Sequence, residues 1–182
     1  MYIARKLKET NIAEYLLYMW QVEDIIRANS LDIDKLKTNY LSRFDVAGSE
    51  RGRLECWYED LIRMMREEGV EVKGHLQINR NTLARLTDLH NRLQRSPKFA
   101  DYSAAYRRVL PFIVELRYRG ASKQLPELEN CFEALYGVLL LRLQKKSVSA
   151  ETEQAATCIS RLLGLLSAYY NKEREGKLRF ED

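Results

Sequence analysis

A carboxylate set in the middle of an apolar helical arc must find a partner or bind a proton, and Glu23 stands in that position. Advancing about 100° per residue from Ile12 places Glu23 at roughly 20°, between Leu16 at roughly 40° and Met19 at roughly 340°. Ionised and alone there, it would be very costly to bury. Arg27 follows one turn later on nearly the same face, as an i,i+4 partner. His90, between Leu86 and Leu93 in a heptad-like seam, is the third member that another helix could bring. Two readings stay open. Satisfied internally, Glu23, Arg27 and His90 form a polar cluster that fixes how helices pack. Open to a ligand, they form a buried-carboxylate enzyme site, because shifted carboxylates gather at such sites. The first is the plainer. Under it, Glu23→Leu is tolerated or stabilising once repacked, whereas Arg27→Leu alone strands a carboxylate at about 3 kcal/mol.

Other catalytic material is thin. The chain has only two histidines, His75 and His90, and no Glu-x-x-His pair of the kind that di-metal helical sites use. Glu55 and Glu59 fall on the solvated side of an amphipathic helix. There is no Gly-rich phosphate loop, no Gly-x-Ser-x-Gly elbow and no His-Glu-x-x-His. Cys56, Cys131 and Cys158 form no Cys-x-x-Cys pair, and their odd number argues against a disulfide framework, as expected of a reducing, cytoplasmic compartment. Cys131 and Cys158 fall among apolar residues, while Cys56 takes a polar face and is the more reactive candidate. No catalytic, cofactor-binding or metal residue is assigned, and the balance leans away from an enzyme.

The formal net charge of +4 hides an uneven distribution. Residues 73–123 hold 11 basic side chains against Asp88, Asp101 and Glu115. Arg85, Arg92, Arg95, Arg107 and Arg108 are the candidate basic surface, the kind that contacts phosphates. Asp88 can neutralise Arg92 at i,i+4, and no aromatic–basic recognition motif accompanies them, so a solvated face is the simpler reading.

These residues need helices to position them. Periodicity near 3.6 recurs throughout and strand alternation is hard to find, which predicts an all-α, single-domain bundle of six or seven helices over residues 1–182. The expected helices are 11–29, opened by an Asn11/Glu14 capping box; 32–44; 49–68, stopped by Gly69; 75–95; 99–119, kinked or restarted by Pro111; 126–145; and 149–175. Residues 171–182 are charged and expected to fray. The last two helices lack charge on their backs as well as their fronts. Leu135, Val138, Leu139, Leu140, Leu141 and Leu143 cover most of one circumference, and Ser160, Gly164, Ser167, Ala168 and Asn171 give the other a small, neutral reverse side. Either the pair is the enclosed centre of the bundle, or its second face meets another copy of the chain. No secretory signal opens the chain, and the longest apolar run, 134–141, falls well short of the roughly 20 residues of a membrane span.

Across Asn11-Ile-Ala-Glu-Tyr-Leu-Leu-Tyr-Met-Trp-Gln-Val-Glu-Asp-Ile-Ile-Arg-Ala28, Lys73-Gly-His-Leu-Gln77 and Leu110-Pro-Phe-Ile-Val-Glu-Leu116, the chain resembles a family of uncharacterised bacterial proteins of similar length, known only as a domain of unknown function. The resemblance implies a cytoplasmic bacterial protein and carries no activity, cofactor or site. The expected role is therefore a non-catalytic interaction or scaffold module, binding itself or another protein and no membrane. A nucleic-acid-associated or regulatory role through residues 73–123 is the alternative, and an enzyme around Glu23 the third.

Overall fold

Some helix starts in this chain are marked by residues whose side chains accept from free amides. Asp32 precedes α3 (Ile33–Asn39), and its carboxylate accepts from the amides of Asp34 and Lys35 at 2.9 and 3.1 Å. These bonds, with that from Lys35 foremost, hold the Asp32 carboxyl below its ordinary value. Ser149 does the same for α8 (Ala150–Arg174), accepting from Thr152 at 3.2 Å. At the other end, α4 (Gly48–Glu67) closes with Gly69 at φ 67° and a Val70 amide donating back to Met65, a Schellman stop.

The computed structural model describes residues 2–119 and 125–180. Every regular element among them is helical, so the chain is all-α. Besides α3, α4 and α8 these are α1 (Tyr2–Thr10), α2 (Ile12–Ala28), α5 (Gln77–Arg95), α6 (Ala100–Arg119) and α7 (Glu127–Leu143), with 3-10 turns at Leu41–Arg43 and Pro97–Phe99. The eighth helix, α1, lies outside the expected set: it buries only Ala4 and part of Leu7, while Tyr2 and Ile3 face outward. The predicted helix 32–44 divides at Tyr40, which leaves helical dihedrals and sets its ring edge-on to Phe44 and Tyr58. Pro111 does not restart the helix. It sits exposed inside α6, where water can take the carbonyl it leaves free.

The residues cluster into two compact units. Met1–Lys8 with Glu14–Thr82 form the first, whose core includes Leu16, Trp20, Ile26, Leu36, Tyr58 and Met65. Glu9–Ala13 with Leu83–Asp182 form the second, in which α6, α7 and α8 pack together around Tyr102, Val109, Phe132, Ile159 and Leu166. The charged tail, expected to fray from 171, instead continues α8 to Arg174. Phe180 then packs on the Phe99 ring at 5.2 Å and under the Arg92 guanidinium at 5.0 Å.

Candidate functional site

Glu23 is fully buried on α2, as its place on the helical wheel predicts, but its partners are different residues. Oε2 lies 2.6 Å from His75 Nδ1, and Oε1 accepts from the Leu76 amide at 3.0 Å and from Asn79 Nδ2 at 2.7 Å. The imidazole of His75 is stacked on buried Trp20, centroids 4.1 Å apart and planes within 11°. The reason lies at the start of α5. Leu76 accepts the first helical bonds, from Asn79 and Arg80, and so occupies the cap position, yet its side chain can accept nothing. Glu23 instead takes, from another helix, the free amide of Leu76 itself, and Glu68 takes the next, that of Gln77, at 2.6 Å. Two carboxylates at the positive end of α5 also suit its dipole.

Arg27 does not bond to Glu23. Its guanidinium pairs with Asp24 at 2.8 Å and donates to the carbonyls of Val70, at 3.1 Å, and Gly74. An i,i+4 pair was the expectation; the fork of Arg27 turns instead to two carbonyls of the loop after α4. Glu23 and Arg27 thus hold the segment from Val70 to Asn79 against α2 from its two ends. The arrangement is a structural clamp. Glu23 and His75 make a carboxylate–imidazole dyad, but among the described residues no group of three or more His, Cys, Asp or Glu could hold a metal.

His90, the third expected member, belongs to a different cluster in the second unit. Its Nδ1 lies 2.7 Å from the Tyr102 hydroxyl, and its ring meets those of Tyr102 and Tyr106 edge-on. Tyr106 donates to Glu127, which Arg117 approaches at 3.5 Å. Burial pushes the His90 imidazole below its ordinary value of 6.5, opposed more weakly by Glu127. The folded state therefore resists protonation at His90 while the unfolded chain accepts it. Stability is intact above the unfolded value of about 6.5 and falls as pH drops below it toward the depressed folded value. Thermal melts should thus show a falling midpoint between about pH 7 and pH 5. His90→Gln, which keeps a partner for Tyr102, should flatten that slope relative to the parent.

Cys56, Cys131 and Cys158 are free thiols. Cys131 is buried beside this cluster, and its thiol is pushed up to about 12, mainly by burial, which makes it a poor nucleophile at neutral pH. Of the basic surface, Arg92 is occupied: it bonds Asp88 at 2.8 Å and Glu173 at 2.6 Å. Arg107 reaches the Ser103 carbonyl at 3.4 Å. Arg85, Arg95 and Arg108 are exposed. Lys123 of the basic stretch lies outside the described residues.

By sequence period the leucines of α7 cover most of its circumference, and the structure separates them. Val138 is buried, Leu135, Leu139, Leu140 and Leu141 are half-buried, and Leu143 is 57% exposed. At 100° per residue, Leu135, Leu139 and Leu143 continue the arc of Leu128, Phe132 and Tyr136, which is buried at the start of the helix. On the other flank of α7 a cleft of about 550 Å³ opens against α6 and α8, lined chiefly by Phe112, Leu116, Gly137, Leu141, Ala155 and Ile159. On α8, Ser160, Gly164 and Ala168 are exposed, whereas Ser167 is buried and accepts from the Ala13 amide, and Asn171 donates to the Thr10 carbonyl.

No helix among the described residues is long and apolar enough to cross a membrane. No curated protein and no solved structure matches the chain. A family model described as Domain of unknown function (DUF4924) matches residues 1–177, a span that includes all three segments carrying the family resemblance. The chain therefore belongs to the DUF4924 family.

Proposed function

We propose that this protein is a non-catalytic interaction module that pairs with a second copy of itself along the leucine face of α7. The observation that carries the reading is the run of half-buried to exposed leucines from Leu135 to Leu143. An enclosed central helix would bury them. Leu143 stands 57% exposed at the end of that run, and apolar surface left in water is the usual mark of an interaction surface. A two-fold contact sets a surface against itself, so charge at its centre meets its like. The uncharged leucines of α7 and the exposed Ser160, Gly164 and Ala168 of α8 suit that requirement. The polar groups most suggestive of chemistry, Glu23, Arg27 and His90, are engaged in bonds that hold the fold. Three free thiols fit a reducing compartment such as the cytoplasm.

Sedimentation velocity tests the reading. The parent should be a dimer at about 50 µM, and Leu139→Glu should be a monomer with the same far-ultraviolet helical signal, because a half-buried position in the monomer tolerates a carboxylate that a dimer core does not. A parent that stays monomeric to about 100 µM, or a Leu139→Glu protein that still dimerises, contradicts it.

A further inference from the structure

We infer that the pocket between α1, α2 and α4 in the first unit binds a small organic cation, an ammonium head on an apolar body. Glu50, Leu54 and Tyr58 recur at i, i+4 and i+8 and so line one face of α4. Tyr2 closes the space from α1, Tyr18 from α2, and Phe44 from the segment after the first 3-10 turn, leaving about 460 Å³. That volume lies within the roughly 300–1,000 Å³ of small-molecule sites.

The chemistry of the lining selects the ligand. Four of its residues are aromatic, and Glu50 is its one charged group. Aromatic faces carry the negative end of a quadrupole, which attracts a cation and repels an anion. Burial raises both Tyr18 and Tyr58 above the ordinary phenol value, so these phenols stay neutral and offer oxygen lone pairs. The Phe44 and Tyr58 rings each stand edge-on to Tyr40, at 73° and 78°, which holds both in place. Tyr2 is 75% exposed and stands at the mouth. Arg53 approaches Glu50 only to 4.0 Å, with both side chains more than half exposed. Such a pair is held weakly and can give way to a better-placed cation.

The probe is benzyltrimethylammonium, titrated into the full chain and followed by amide correlation spectra, beside its neutral isostere neopentylbenzene and the anion phenylacetate. The cation should give saturable shifts around residues 18, 44–46 and 50–58, binding about tenfold more tightly than the isostere. Glu50→Gln, an exposed change that leaves the fold alone, should weaken it about fivefold, and Phe44→Leu, which keeps an apolar wall without the ring, should weaken it as well. Absence of saturable shifts up to about 10 mM overturns the inference. So does equal or tighter binding of the isostere or the anion, or an unchanged affinity in both variants.

Discussion

Glu23→Leu is expected to destabilise the protein by about 4 kcal/mol, a loss that chemical denaturation would read as a lowered midpoint at unchanged slope. The sequence alone suggests the opposite, because a buried carboxylate beside an arginine can often be replaced by a well-packed apolar side chain at no cost. That argument needs both polar partners to be removable, and here they are not. One is the backbone amide of Leu76, which no substitution deletes, and another is Asn79, itself fully buried. Leucine at position 23 would leave both donors in an apolar setting, at about 1–3 kcal/mol each. It would also leave His75 without its acceptor. For a chain of this length about 4 kcal/mol corresponds to a fall of roughly 10 °C in Tm. Glu23→Gln, which keeps one acceptor oxygen, should cost far less.

Arg27→Leu should cost about 3 kcal/mol by the same measurement, for a reason other than the one its spacing implies. It strands no carboxylate, since Glu23 has its own partners. It removes the donors of the Val70 and Gly74 carbonyls and the pair with Asp24. Arg27→Lys should recover only part of the loss, because an ammonium on a flexible stem cannot reach two carbonyls in a fixed fork. The double replacement of Glu23 and Arg27 by Leu should cost less than the two single losses added, since both side chains hold one segment, and a segment already released from one end has less to lose at the other.

Burial of Glu23 was legible because a helix repeats every 3.6 residues and its neighbours on the wheel are Leu16 and Met19. Its partners were not legible, since His75, Leu76 and Asn79 lie more than fifty positions away and sequence period says nothing about which helices touch. A usable signal was nonetheless present. Leucine at position 76 opens a strongly periodic helix with no side-chain acceptor of its own, so an acceptor had to come from elsewhere in the fold. The seam position of His90 predicted its burial correctly, but its bond to Tyr102 depends on how α5 and α6 pack. Gly69, Asp32 and Ser149 marked helix ends because the capping chemistry is local. Helix α1 was not legible as an element of the core: its run of charged and apolar residues is amphipathic, but it spans only 9 residues and buries a single alanine.

The open choice at the sequence level between an enclosed α7 and an α7 shared with another copy turns on leucines whose exposure only the folded chain reveals. Amide hydrogen exchange at two protein concentrations tests that choice at the residues themselves. If α7 pairs with its copy, amides from Leu135 to Leu143 should exchange more slowly at about 100 µM than at about 1 µM, while those of α4 do not change. Exchange in α7 that is independent of concentration, in a protein whose α4 is equally unaffected, would contradict self-association through this face.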